Sequence, residues 1–177
     1  MVRRLSGTPI TAPPAPAGPH RHTAPAPGES AAFHFTSTWT APVPPARVWE
    51  ELIAVEHWPR WWPGIRSARV IADTGEGAPG RRVALTIGSP LGYRLRFALE
   101  LAEASPPECA RVRAAGDLRG TGRLTAAEAG AGSALTITWC VVSRRRLVRA
   151  LRPLAPWAHG RVMAAGERGL RERLASG

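Results

Sequence analysis

Few side chains in this sequence have the type and spacing that chemistry at a fixed site requires. Three histidines, His34, His57 and His159, are candidates for a general acid or base. None has a partner residue at a readable spacing, and Gly-x-Ser-x-Gly, His-Glu-x-x-His and phosphate-loop patterns do not occur. We therefore interpret these histidines as surface or hydrogen-bonded residues, and the sequence leaves any catalytic residue unassigned.

The remaining histidines and the two cysteines give no metal-binding spacing. His20 and His22 form a possible metal pair, but two histidines in a flexible proline-rich tail rarely bind a metal. Cys109 and Cys140 lie on separate apolar segments, outside any Cys-x-x-Cys or Cys/His pattern, and are predicted to be buried thiols. We expect neither a metal nor a cofactor.

The basic residues offer a second kind of chemistry, the binding of anions. All 24 of them are arginine, against 13 acidic residues, and the net charge is +11. A GC-rich coding sequence would produce such an excess without lysine, so the charge is weak support for an anionic partner. Arginine nevertheless attracts phosphates and anionic lipids.

Two groups of arginines stand out by position. The first alternates with apolar residues on two predicted strands, at Arg94, Arg96, Arg111 and Arg113, and is interpreted as a solvated face. If one of them faced inward, it would be able to anchor a carboxylate or polarise an enolate. The second group, Arg144 to Arg152, precedes the last helix and is either a solvated patch or a docking surface for acyl carrier protein or an anionic membrane. The pattern does not favour nucleic acid as a partner.

The elements that must position these residues begin with the segment 44–64, which contains four of the seven tryptophans. Pro44 and Pro45 suit the first turn of a helix, and Pro59 and Pro63 interrupt it. The rings that follow on a short turn, those of Trp58, Trp61 and Trp62, either form a lid of core aromatics or line the mouth of a cavity.

Seven segments alternate between apolar and polar residues with the period of a strand. They cover residues 33–40, 65–72, 83–87, 93–101, 109–115, 118–125 and 134–142. One apolar face on each predicts an antiparallel sheet covered on one side. From Arg144 the period becomes helical, and Pro153 and Pro156 predict a kink or a restart. Glycines of this helix are expected to allow close packing or leave space beneath it.

The domain organisation follows from composition. Residues 1–31 are rich in proline and lack apolar periodicity, so we predict a disordered tail, followed by one domain over residues 32–177. The sequence shows neither a secretory signal nor a stretch long and apolar enough to span a membrane. A cytoplasmic bacterial protein is expected, and the use of cysteine agrees with a reducing compartment.

Residues 33–175 resemble the polyketide cyclase and lipid-transport superfamily, also called START-like or SRPBCC. The resemblance is carried by residues 41–49, the Trp-Pro-Arg-Trp-Trp-Pro-Gly motif at 58–64, the Gly120-Thr-Gly122 strand, Thr138-Trp139 and the closing amphipathic helix. It implies an α+β helix-grip fold. In that fold a curved antiparallel sheet of about seven strands wraps a long C-terminal helix, a short helical pair follows the first strand, and an apolar cavity lies between sheet and helix.

From this resemblance we predict binding, and possibly transport, of a small hydrophobic or amphipathic molecule such as a lipid or polyketide. The alternatives are a polyketide cyclase or dehydratase-like enzyme using the same cavity, and an interaction module that docks through Arg144–Arg152. Side chains that fill the interior completely would exclude the first two functions. The residues predicted to line the cavity are Trp62, Leu85, Tyr93, Leu95, Phe97, Val112, Leu135, Ile137, Trp139, Leu151, Leu154 and Trp157.

Overall fold

Alternating apolar residues build a seven-stranded sheet in the computed structural model, which describes residues 22–176. The strands are β1 (Phe33–Ala41), β2 (Ile65–Ala72), β3 (Arg82–Gly88), β4 (Arg94–Ser105), β5 (Cys109–Gly116), β6 (Arg119–Ala129) and β7 (Gly132–Val142). Their order in the sheet is β1-β7-β6-β5-β4-β3-β2, and every neighbouring pair is antiparallel. The last strand therefore joins the first to the meander formed by the other five.

Two helices follow the first strand and two follow the last. They are α1 (Pro45–Ile53), α2 (Trp58–Trp61), α3 (Arg146–Ala150) and α4 (Ala155–Ala175), with 3-10 turns at Val55–His57 and Arg152–Leu154. The second turn, which contains Pro153, separates α3 from α4, so the predicted restart is confirmed. The predicted helix-grip architecture is confirmed as a whole. No helix among the described residues is long and apolar enough to cross a membrane.

The core lies between the inner face of the sheet and α4. Trp39 of β1 and Leu135 of β7 are paired across the two strands, and both are almost fully buried. Glycines let α4 approach the tryptophans: a Cβ at Gly166 would lie 2.4 Å from the Trp62 ring, and one at Gly169 would lie 1.7 Å from a backbone oxygen. Of the two uses expected of the helix glycines, Gly166 and Gly169 serve close packing, whereas Gly160 has open space around it.

The outer face of the sheet carries the arginines. All four residues of the first group are exposed, as predicted for a solvated face. Arg113 lies 3.1 Å from Glu100 and Arg111 lies 3.3 Å from Glu103, so neighbouring strands place charges of opposite sign side by side. Pairs this exposed contribute at most about 1 kcal/mol each. They mark the solvent side of the sheet.

Residues 22–32, here called the N-terminal segment, run along the outer side of the molecule. The Glu29 carboxylate accepts a hydrogen bond of 2.6 Å from Arg119, and Ser30 exchanges hydrogen bonds with Ser143. The bond from Arg119 is the main cause that lowers the pKa of Glu29 to about 2. Most of the predicted disordered tail, residues 1–21, lies outside the described residues. The division of the chain at residue 31 stays a prediction.

Candidate functional site

An apolar cavity with two lobes lies between the inner face of the sheet and the helices. Lobe one, of about 120 Å³, lies between α1 and the inner faces of β5, β6 and β7. Lobe two, of about 150 Å³, lies between β1, β3, β4 and the first turns of α4. Trp58, Trp62, Leu99 and Trp139 line both lobes, so the lobes meet at a layer of large rings.

The tryptophan turn supplies most of this layer. Trp61 and Trp62 are buried and stacked with ring centres 5.5 Å apart, and the Trp58 ring lies 5.2 Å from that of Trp62. The Trp62 indole N–H donates to the carbonyl of Val162 in α4 over 2.9 Å, which fixes that ring. The turn is therefore both a lid of core aromatics and part of the cavity wall, and the two interpretations of the sequence are compatible.

Strand β6 makes room for the third tryptophan of the layer. Gly122 of β6 is paired with Trp139 of β7, and a Cβ at Gly122 would lie 2.7 Å from the Trp139 ring. The ring therefore lies directly over the glycine backbone. This is the close approach that two glycines on one strand face predict.

Lobe one ends at a buried arginine that contacts two more exposed carboxylates. Arg81 is 7% exposed and lies 2.7 Å from the Glu56 carboxylate and 3.3 Å from that of Asp73. The hydrogen bonds from Arg81 lower the pKa of Glu56, and the same contact raises the pKa of Arg81. The two carboxylates thus compensate the positive charge of Arg81 at the end of the lobe. Arg81 was not predicted as a site residue, because its only signal in the sequence is its place after a glycine-rich turn.

Lobe two contains a histidine. His159 of α4 lies with its Nε2 3.3 Å from the Ser37 hydroxyl, and its ring is stacked on Phe35 with centres 4.2 Å apart. Burial lowers the pKa of His159 to about 4, so the imidazole is neutral at neutral pH. Of the two alternatives that the sequence left open, a surface or a hydrogen-bonded histidine, His159 is the hydrogen-bonded one. Its position in the cavity wall was missed, although His159 shares one face of α4 with Val162 and Met163.

Most of the predicted lining residues come together around the cavity. Two of them line both lobes, and the others line one lobe each: the set is Trp62, Leu85, Tyr93, Leu95, Phe97, Val112, Ile137 and Trp139. Leu135 faces inward but is completely buried in the core and touches neither lobe. Whether any of these residues contacts a ligand stays a prediction.

Three residues predicted from the last helix lie elsewhere. Leu154 and Trp157 are 46% and 54% exposed, and Leu151 is half-buried outside both lobes. Leu151 precedes the 3-10 turn at Arg152–Leu154 and Leu154 ends it, so neither belongs to α4. Trp157 lies in α4 but is exposed, whereas its neighbour Ala158 lines lobe two. The helix contributes Ala155, Ala158 and Met163 to lobe two instead.

Comparisons with known proteins agree with this architecture. Residues 32–175 match the family described as polyketide cyclase / dehydrase and lipid transport. That range spans most of the chain. A search of curated proteins found no matching relative.

Several solved structures share the fold. The protein TTHA0849 from Thermus thermophilus is similar with a TM-score of 0.69 and 20% identity, covering 81% of this chain and 98% of its own. The Zhui aromatase/cyclase from Streptomyces sp. R1128 has a TM-score of 0.67 and 17% identity, with coverage of 80% and 93%. A START superfamily protein from Mycobacterium smegmatis has a TM-score of 0.63 and 16% identity, with coverage of 80% and 98%. At these identities the likeness establishes the fold.

Proposed function

This chain belongs to the polyketide cyclase / dehydrase and lipid transport family, and from that membership we propose that it binds a small hydrophobic or amphipathic molecule, such as a lipid or polyketide, in the two-lobed cavity. The observation that carries the proposal is the pair of lobes of about 120 and 150 Å³ that meet at Trp58, Trp62 and Trp139. Apolar walls with few polar groups are what such ligands need.

The walls indicate a guest that is mostly apolar with one polar end. Lobe two has Tyr93 and His159 in its wall. The indole nitrogen of Trp58, which lines both lobes, is buried and has no hydrogen-bond partner among residues 22–176. A buried N–H without a partner costs about 1–3 kcal/mol, and an oxygen on the guest would remove that cost. Each lobe is smaller than the roughly 300–1,000 Å³ of drug-sized sites, so a slender chain or a small ring fits better than a bulky ligand.

The test uses the cavity's own tryptophans as reporters. A medium-chain fatty acid and a naphthalene-sulfonate dye are titrated while tryptophan fluorescence is recorded. Ala158→Leu fills lobe two from α4, and its matched control Ala164→Leu adds the same side chain on the exposed side of that helix. On β5, Ala110→Leu fills lobe one and the exposed Ala115→Leu is the control.

Filling a lobe that holds the probe is expected to weaken binding at least about tenfold, equivalent to about 1.4 kcal/mol, while the outward variants bind as the wild type does. Thermal unfolding of all four variants verifies that they are folded. Equal affinity of both probes for the two inward variants and their controls would show that the cavity is not the binding site.

A second candidate function is catalysis in the same cavity, of the kind that a polyketide cyclase or dehydratase performs. The observation that favours it is His159, an imidazole that burial keeps neutral in the wall of lobe two. A neutral imidazole can accept a proton from an acidic carbon of a poly-β-keto chain. Turnover of a carrier-bound poly-β-ketone that His159→Gln abolishes, with binding retained, would establish it. Absence of turnover by the wild type would refute catalysis and leave binding as the only proposed function of the cavity.

Docking to acyl carrier protein or an anionic membrane through Arg144–Arg152 is less well supported. Several of these arginines already contact the chain itself: Arg145 lies 2.9 Å from Asp117, and Arg149 and Arg152 donate to carbonyls of the N-terminal segment. Docking through the remaining charge would weaken steeply with added salt. Vesicles with and without anionic lipid, compared at low and high salt, test it directly.

A further inference from the structure

A cluster of potential metal ligands lies on the outer face of the sheet, away from the cavity. Strand pairing places His34 of β1 directly opposite Cys140 of β7. Their sequence neighbours Phe35 and Trp139 line the cavity, and successive residues of a strand point to opposite faces. The imidazole and the thiol therefore lie side by side on the outer face, although 106 positions separate them in the sequence (140 − 34).

The N-terminal segment adds a third side chain to this pair. His22 lies with its Nδ1 3.7 Å from the Cys140 sulfur, and its ring centre is 5.5 Å from that of His34. Each of the three residues offers one ligand atom, and all three atoms lie within 4.8 Å of one another. Cys140 is buried and both histidines are exposed, so solvent reaches the histidine side of the cluster.

We propose that His22, His34 and Cys140 bind one Zn²⁺ ion, with the fourth position open to water. One thiolate and two imidazoles form a ligand set that zinc prefers, whereas magnesium and calcium require oxygen. Tetrahedral zinc, with bonds of about 2.1 Å to nitrogen and 2.3 Å to sulfur, places those two ligand atoms about 3.6 Å apart. The distance of 3.7 Å between His22 and Cys140 meets that requirement without rearrangement.

The surroundings of the sulfur support a metal-bound thiolate. The backbone N–H of Thr23 donates to the Cys140 sulfur over 3.2 Å, and the Thr23 hydroxyl donates to the Cys140 carbonyl over 2.8 Å. Hydrogen bonds of this kind orient a ligand and stabilise its charged form. When the ion binds, the thiol loses its proton to solvent as the zinc–sulfur bond forms. These contacts therefore position Cys140 in the metal-free protein.

A bound ion would fasten the N-terminal segment to the sheet. The segment is already held by hydrogen bonds of Thr23 to Cys140 and, further along, by the contacts of Glu29 with Arg119 and of Ser30 with Ser143. Zinc would reinforce the Thr23 end by linking His22 to His34 of β1 and Cys140 of β7. Because the metal links residues distant in sequence, it restricts the unfolded chain and orders the segment in the folded one.

The test uses the full chain, prepared without a polyhistidine tag and freed of metal with a chelator. Zinc is titrated in competition with a zinc-binding dye, and cobalt serves as a spectroscopic substitute. We expect one Zn²⁺ per chain and, with cobalt, a sulfur-to-metal charge-transfer band. Both His22→Ala and His34→Ala should weaken zinc binding at least about 10- to 100-fold. Removal of a residue that only orients a metal ligand already causes a loss of this size, and these histidines would bind the metal directly. Cys140→Ser should abolish the cobalt band.

Two control variants separate the proposed site from other zinc ligands. Cys109→Ser removes the other thiol, on β5, and should leave zinc binding unchanged. His20→Ala should also leave it unchanged. Loss of binding in His20→Ala with unchanged binding in His34→Ala would mean adventitious chelation by the tail and would overturn the site. Absence of stoichiometric zinc binding by the wild type would overturn it as well.

Attachment of the segment has its own measurement. Hydrogen exchange of the amides in residues 22–32 should slow when zinc is added to the wild type, and should not change in His34→Ala. The exposed His22 and His34 are far from the core, so these variants are expected to fold even if Cys140→Ser does not. Zinc binding that leaves exchange of the segment unchanged would refute the fastening role.

Discussion

Protonation of His159 gives a quantitative test of the cavity wall. The ring is packed on Phe35 and close to the Ser37 hydroxyl, and burial holds its pKa at about 4. In the unfolded chain a histidine has a pKa of about 6.5. Above that pH both states are neutral. Between the two pKa values only the unfolded state binds the proton, so the free energy of unfolding falls as the pH is lowered through this window.

The expected size follows from the gap between the two pKa values. They differ by about 2.5, and each whole pKa unit corresponds to roughly 1.4 kcal/mol, so the loss on going from pH 7 to pH 4 is at most about 3 kcal/mol. For a domain of this size that is a substantial part of a total of roughly 5–15 kcal/mol. Below pH 4 the native state binds the proton too, and the loss does not grow further.

His159→Gln is the appropriate comparison, because glutamine can still bond to Ser37 but does not titrate. Urea unfolding followed by tryptophan fluorescence, at several pH values from about 7 to about 4.5, gives the free energy of unfolding for both proteins. Carboxylates titrate in both and cancel in the difference. We expect the stability advantage of the wild type to shrink as the pH falls. A difference that stays constant through the window would show that His159 is not held neutral by burial.

Two further predictions concern α4 and the N-terminal segment. Gly166→Ala should lower the free energy of unfolding by about 1–3 kcal/mol, because its Cβ would lie 2.4 Å from the Trp62 ring. Gly160→Ala, with open space around it, should raise the free energy of unfolding by about 0.5–1 kcal/mol. Urea unfolding measures both changes. Glu29→Gln should speed hydrogen exchange of residues 22–32, because the carboxylate that accepts from Arg119 is lost. Exchange equal to that of the wild type would mean that this ion pair does not hold the segment.

The sheet was predictable from the sequence because one of its faces is buried. A buried face requires apolar and polar residues to alternate along each strand. The apolar residues of β4 and β7 therefore predicted both the strands and the side of the sheet on which the cavity lies. Eight of the twelve predicted lining residues, including Tyr93, Phe97 and Trp139, accordingly lie around the two lobes. Alternation assigns every side chain of a strand to one face of the sheet, and for this reason the arginines of the first group were correctly predicted to face solvent.

The helical contribution was less predictable, since a helix keeps its phase only while it is continuous. The 3-10 turn before Ala155 interrupts the helix, so sequence spacing assigned Leu154 to the wrong side; Trp157 lies within α4 but next to the inner residue Ala158, and was assigned one position off the inner face. The side of α4 on which His159 lies was also uncertain from the sequence. A period of 3.6 residues leaves the boundary of the apolar stripe uncertain, whereas a period of two does not.

The cluster on the outer face depends on a third kind of information, the register between distant strands. No spacing in the sequence relates His34 to Cys140; only the pairing of β1 with β7 makes them neighbours. Since Trp139 and Cys140 are consecutive in β7, the cavity and the cluster lie on opposite faces of one strand. Substitution of His34 reaches the cluster without entering the cavity, and Ala158→Leu does the reverse. Zinc binding and ligand binding can therefore be lost one at a time, and a change in ligand affinity on adding zinc would measure coupling through β1 and β7, the two strands that the cavity and the cluster share.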